Sequence, residues 1–394
     1  MVPDRNSFKA LWGPTTAALV ALLLMTFASA PLNAEDAVNL RKVTAGLHDG
    51  HSFSPSLRGD GGWLAYGVRE SVKGTFQTKF YARSLDEGGV FRSVWPKQHP
   101  SLKDGEGTAS FTDILAFDWS KDGENNAMVA LHKRKGQEVF LEKMEVRIGG
   151  EGDQGAPSIS PDGSQLVVVS EVGDGAGSDL WVINTVDGAE PLQLTFTRES
   201  ELAPAWHPSQ QKIIHEQRNP LGSDIWEFNL DTFTHSSLLR LGTSDEILPS
   251  YSPDGVHVAF LSNKDSKDGL RWDLFVFEPG KSLPKSVIKG VRRSDRSPGY
   301  CWDPLGRYLI AAVEDELAGY PLVIAPTDGS EPPRLFSATK DNMDPSIVSV
   351  GDKVRLTWVA LDERAPPSRN YRIVWLAEFG LANYGLAAGL GSSP

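Results

Sequence analysis

The chain has 394 residues, 40% hydrophobic and 23% charged, with 39 Lys+Arg against 51 Asp+Glu and a formal charge of −12. That is a globular composition, and its acidity argues against broad nucleic-acid binding and against adhesion to anionic lipid, which both need a basic face. The lone Cys301 excludes an internal disulfide and a multi-cysteine zinc site.

At the start of the chain, Arg5 and Lys9 precede an apolar run over residues 17–28, with small residues at Ala28, Ser29, Ala30 and Ala34. A basic start, a short apolar core and small residues near a cut predict a secretory signal peptide over 1–34, cut after Ala34 or alternatively after Ala30. The run is too short for the roughly 20 residues that span a bilayer. The expected product is an exported, periplasmic monomer of the bacterial envelope, without membrane insertion after cleavage.

From there the chain repeats. Pro157-Ser-Ile-Ser-Pro-Asp-Gly163 and Pro249-Ser-Tyr-Ser-Pro-Asp-Gly255 are the clearest units. Weaker copies are Ser54-Pro55, Trp119-Ser-Lys-Asp-Gly123, Pro204-Ala-Trp-His-Pro-Ser209 and Tyr300-Cys-Trp-Asp-Pro-Leu-Gly306, with a faint seventh at Pro345-Ser-Ile-Val-Ser-Val-Gly351. Aligned on the serine position (54, 120, 160, 207, 252, 303, 348), they recur every 40 to 66 residues. Spacings of this order with strand-like content indicate propeller blades. Ser-Pro-Asp-Gly is turn punctuation: Pro sets φ, Asp bonds nearby backbone and Gly accepts positive φ.

Each turn leads into a β-rich run, as in 165–170, 256–262 and 307–313. A third strand opens on Ser178-Asp-Leu-Trp181, Ser223-Asp-Ile-Trp226 or Trp272-Asp-Leu-Phe275, and a short fourth strand follows at 191–195, 237–241 and 333–336. No long segment has helical periodicity. The fold expected is an all-β propeller over 35–379. Seven blades are preferred and six are the alternative, with 345–379 then read differently. The last unit lacks a fourth strand, and residues 40–44 are expected to supply it and close the ring, since an open edge invites aggregation. Residues 95–110 read as a surface loop and 380–394 as a fraying tail.

The P-x-x-S-P-D-G turn, the apolar strand, Asp-Leu-Trp and then Leu192-Gln-Leu-Thr195 together resemble the TolB-type propeller repeat over roughly residues 40–379. The resemblance implies a propeller and a protein-binding role in the periplasm. The α/β domain that precedes the propeller in TolB has no counterpart here. Similar repeats occur in propellers of prolyl-oligopeptidase-type peptidases and oligogalacturonate lyases.

No catalytic constellation stands out. There is no G-x-S-x-G elbow, and His215-Glu216 lacks the second histidine of H-E-x-x-H. His48 and His51 lack an evident third ligand, and no histidine follows His257 for a late metal site. Residues 263–269 and 174–179 read as solvated loops, Arg292-Arg-Ser-Asp-Arg296 as a small basic cluster that could meet an acidic partner, and Cys301 as a packing residue. The tryptophans recur in register and read as blade packing rather than as a sugar platform. No catalytic residue, metal or cofactor is assigned.

Pseudo-rotational symmetry places equivalent repeat positions on a ring. The residue three before the repeat proline is His48, Ile114, Gln154, Glu201, Glu246, Asp295 or Asn342. These residues, Ile114 apart, are the candidate binding residues at the channel mouth, where clustered carboxylates would focus negative potential on a basic group of a partner peptide or a cation. The function expected is a non-enzymatic binding or scaffolding module. The alternative is a carbohydrate-active lyase or hydrolase using carboxylates at that mouth.

Overall fold

The computed structural model describes residues 39–57, 59–85, 91–93, 110–111, 114–121, 124–135, 138–145, 154–171, 177–184, 190–293, 298–315, 319–337, 339–363 and 371–380. The expected leader, the loop at 95–109 and the tail from 381 lie outside them. Every regular element among the described residues is a strand.

Strand β1 (Asn39–Lys42) comes first in the chain but joins the last sheet. The first sheet is β2 (Gly50–Leu57), β3 (Trp63–Val72), β4 (Thr75–Ser84) and β5 (Phe91–Ser93). The second is β6 (Ser110–Phe111), β7 (Ile114–Lys121), β8 (Glu124–Lys135) and β9 (Glu138–Glu145). The third is β10 (Gln154–Ile159), β11 (Gln165–Ser170), β12 (Asp179–Asn184) and β13 (Leu192–Gln193). The fourth is β14 (Ser200–Trp206), β15 (Lys212–Asn219), β16 (Gly222–Asn229) and β17 (Thr234–Leu239). The fifth is β18 (Glu246–Tyr251), β19 (Val258–Ser262), β20 (Asp273–Phe277) and β21 (Lys285–Ile288), and the sixth β22 (Tyr300–Trp302), β23 (Tyr308–Ala312), β24 (Leu322–Pro326) and β25 (Arg334–Ser337). The last holds β26 (Met343–Val350), β27 (Lys353–Leu361) and β28 (Arg372–Gly380), with β1 antiparallel to β28 in the register Leu40↔Ala377.

A sheet covered on both faces must be apolar on both, which is why β19 and β20 are buried at every position. Val167 and Leu180 of the third sheet meet Ile213 and Phe228 of the fourth, and Ile214 and Ile225 on its other face meet Val258 and Phe260 of the fifth. Leu261 and Leu274 pack on Leu309 and Ala311, Ile310 and Ile324 on Leu356 and Trp358, and Val359 and Leu376 on Leu64 and Tyr66. Six blades are joined by these five cores in a propeller arrangement. The second sheet lies between two of them, β7 and β8 against β10 and β6 against β2.

The innermost strands share an uncommon backbone. Ser54, Ala156, Ala203, Leu248 and Asp344 all have φ between 43° and 52°, and each is followed by proline. The register breaks at the same place in each strand, as between Leu202 and Ala205. Each X-Pro pair is therefore a β-bulge with a non-glycine residue in the left-handed region.

These bulges correct the alignment of the first repeat. Ser54-Pro55 is the bulge dipeptide, equivalent to Ala156-Pro157, and not the turn dipeptide Ser160-Pro161. The residue facing the neighbouring blade is accordingly Leu57, opposite Leu64, as Ile159 is opposite Leu166. Phe53 instead lies across Gly67, where a Cβ would come within 2.2 Å of its ring.

Holding alanine in the left-handed region costs about 1–2 kcal/mol, part of which glycine returns through its looser unfolded chain. Ala203→Gly should therefore stabilise the protein by about 0.5–1 kcal/mol, read from the denaturant midpoint. A loss of stability would contradict the strained bulge.

Candidate functional site

At the proposed ring position, the side chains of Glu201, Glu246 and Asn342 point into the protein. Glu201, Glu246 and Asn342 are each 0% exposed. Glu201 accepts from Thr197 Oγ1 at 2.8 Å, Gln217 Nε2 at 3.1 Å and Thr195 Oγ1 at 3.2 Å. Glu246 accepts from Ser244 Oγ at 2.6 Å, Ser262 Oγ at 3.0 Å and the Leu241 amide at 3.3 Å. Asn342 donates to the Tyr320 carbonyl at 2.7 Å and bonds Thr339. Each therefore pins the loop that enters its own blade. Gln154 opens β10 at the equivalent place, and Asp295 lies outside the described residues.

His48 is not on the ring. With the first repeat realigned, Ser52 takes that position, and it bonds Thr44 at 3.1 Å in the same loop-pinning manner. His48 sits four residues earlier, bonded to Tyr66 Oη at 3.0 Å and 4.3 Å from the ring of Tyr81. His51 is turned elsewhere and accepts from the Arg372 amide. Among the described residues no group of three or more His, Cys, Asp or Glu could hold a metal.

The recurring Ser-Asp-Leu-Trp cue has the same purpose. Asp179 accepts from Thr195 Oγ1 and the Thr197 amide, and Asp273 from the Gly290 amide at 2.8 Å, so the first acid of these two third strands ties down the next inter-blade connection.

This face presents arginines outward beside exposed acids at Asp265, Asp268, Glu314, Asp315 and Glu363. Glu216 and Asp273 have side chains 4% and 9% exposed, while their partners Arg218 and Arg271 are 53% and 60% exposed. Arg293 is exposed and lies 5.3 Å over Trp272; burial raises the Glu216 pKa, and Arg218 and Arg293 are among the charges that oppose the rise. Of the basic cluster seen in sequence, Arg292 is committed internally to Asp341 and stacks on Tyr320 at 3.8 Å. Cys301 packs beside the core shared by the sixth and last sheets.

A cleft of about 610 Å³ opens at this end of the molecule. Gln217, Trp226 and His235 project from one side of the fourth sheet, the side that meets the third. Strand β13 is only two residues long and offers β17 little surface. Thr197 and Glu199 form the opposite wall, and Asn219, Asp224 and Arg240 the rim. Asp224 pairs with Arg240 at 3.0 Å. Beneath the floor, His215 Nδ1 donates to the Glu216 carbonyl at 3.1 Å, so its Nε2 accepts from His235 Nε2 at 2.9 Å. Burial, then the neighbouring His235, push the His215 pKa down to about 3, and the pair is neutral. Trp226 stacks at a tilt on His235 at 4.8 Å, and its indole N–H is buried without an acceptor among the described residues. Sequence reasoning missed this cleft. Its one visible sign is the third-strand tryptophan whose neighbouring blade ends in a stunted strand.

No family model matches the chain, and no curated protein matches it. Among solved structures it is similar to an oligogalacturonate lyase in complex with manganese, at 13% identity and a TM-score of 0.57, covering 86% of this chain and 91% of that one. It is also similar to puromycin hydrolase, at 12% identity and TM-score 0.54, over 84% of this chain and 52% of that one. TolB from Agrobacterium tumefaciens aligns more weakly, at 14% identity and TM-score 0.46, over 64% of this chain and 86% of that one. At these identities the likeness is one of fold.

Burial raises the Glu201 carboxyl to about 7, against three donors that lower it. Between its ordinary value and about 7 the native state holds a proton that the unfolded state has lost, so stability falls as pH rises through that window. Glu201→Gln should flatten this part of the stability profile measured by denaturation from pH 4 to 8. An unchanged slope would contradict the assignment.

Proposed function

We propose that the chain is an exported, monomeric β-propeller of the bacterial periplasm, its seven four-stranded sheets forming seven blades, and that it works as a non-enzymatic protein-binding module. The observation that carries this reading is a set of exposed arginines on the loop-bearing face, two of which pair with buried acids. Acids at the ring and behind the arginines are buried and occupied by internal donors. A carboxylate saturated in this way is poorly placed for general acid–base work on a substrate, which needs contact with the reacting atoms.

The partner we propose is therefore an acidic protein segment rather than a basic one. Arg218 donates to the buried Glu216 at 2.8 Å, Arg271 forms a looser ion pair with Asp273 at 3.8 Å, and Arg293 has no acid partner among the described residues. A planar guanidinium with spare donors suits a carboxylate. Such a patch would steer encounter and set specificity more than it would add affinity.

The probe is a fluorescein-labelled decapeptide rich in glutamate, with a lysine-rich peptide as control, titrated into the purified protein. Replacing Arg218, Arg271 and Arg293 together with Gln should weaken binding of the acidic peptide by about tenfold or more and reduce its salt dependence. Preference for the lysine-rich peptide, or unchanged affinity in the triple variant, would contradict the reading. Gln keeps an amide that can donate to the buried Glu216, and a thermal melt of the triple variant checks that the fold is retained.

A further inference from the structure

We propose that the cleft between the third and fourth sheets is a binding site for a neutral saccharide of one or two rings, with Trp226 Nε1 donating to one of its hydroxyl oxygens. This site is separate from the arginines that would meet a protein partner.

Three observations converge on it. The cleft's volume of about 610 Å³ lies within the range of about 300–1,000 Å³ typical of small-molecule sites. Trp226, which lines it, has a buried indole N–H with no acceptor among the described residues, a state that costs about 1–3 kcal/mol unless a ligand meets it. The indoles of Trp181 and Trp375 also lack acceptors, but neither lines the cleft. By contrast, the inter-blade tryptophans Trp206 and Trp302 satisfy theirs on Ser158 and Ser250 of the preceding blade, at 2.9 and 3.0 Å.

The lining also sets the ligand's chemistry. Trp226 and His235 give an aromatic wall, while Gln217, Asn219, Thr197 and Glu199 bring amide, hydroxyl and carboxylate groups to bear. A ring with apolar faces and hydroxyls that both donate and accept fits such a mixture. The fixed charges are of both signs, with Glu199 and Asp224 against Arg240, and Asp224 is already paired. An anion would face the two carboxylates and a cation the guanidinium. The histidine pair is neutral and adds no charge. A neutral polyol meets none of these penalties.

The test is titration of the purified protein, with indole nitrogens labelled for NMR, against maltose, cellobiose and chitobiose. Glucuronate, glucosamine and benzamide serve as anionic, cationic and planar controls. The Trp226 indole signal is assigned by its loss in Trp226→Phe. The expected result is that a neutral disaccharide shifts that signal with a dissociation constant in the millimolar range or tighter. Affinity by calorimetry should fall about tenfold in Trp226→Phe and severalfold in Glu199→Ala, whose partly exposed side chain can be lost without harm to the core. No shift with any of the disaccharides, a shift only with the controls, or full affinity in both variants would overturn the proposal. Failure here leaves the acidic-peptide reading standing, since that depends on Arg218, Arg271 and Arg293.

Discussion

The structure depends on closing a ring of sheets whose two faces are both buried. A twisted sheet with apolar residues on both sides has no stable existence alone, and each blade borrows half of its burial from each neighbour. The debt is settled only if the last blade meets the first. Here the last blade is completed by the first described strand: β1 adds to β28, and the Val43 amide continues the pairing onto the Val374 carbonyl at 2.8 Å. The backbone amide of Ser54 also donates to Asp344 across the same seam. Closure removes the open edge and fixes the order of the blades in one stroke.

Within that ring, polar residues are used mainly as fasteners. Ser52, Glu201, Glu246 and Asn342 each tie down the loop preceding their own strand, and Asp179 and Asp273 tie the connection that follows theirs. Buried carboxylates of this kind are tolerable because several donors meet them, and removing one partner would leave the rest uncompensated. The consequence for function is that the acids paired with Arg218 and Arg271 are buried while those two arginines stay exposed. The cleft has a different origin. Where a fourth strand shrinks to two residues, the next blade's outer surface loses its cover, and a tryptophan that packs elsewhere is left beside open space.

Much of this could be read from the residues. Turn punctuation located the blades, and the lack of a fourth strand in the last unit pointed to the pairing of residues near Leu40 with β28. The first repeat misled because Ser-Pro occurs in two places, at the bulge and at the turn, and only the register of β2 on β3 tells them apart. The ring at Glu201, Glu246 and Asn342 was legible as a polar position, but its inward direction was not. The donors that bury it, Thr195, Thr197, Gln217, Ser244 and Ser262, come from other strands and loops that spacing alone does not bring together. The cleft was illegible for a related reason: it is made by what the neighbouring blade fails to cover.

Closure by the amino-terminal strand can be measured directly by native-state amide hydrogen exchange. The account predicts that the Val43 amide exchanges as slowly as its neighbours in β28, because they open together with the last blade. Fast exchange at Val43, with β28 still protected, would show that the ring is not held by this strand and would contradict the account.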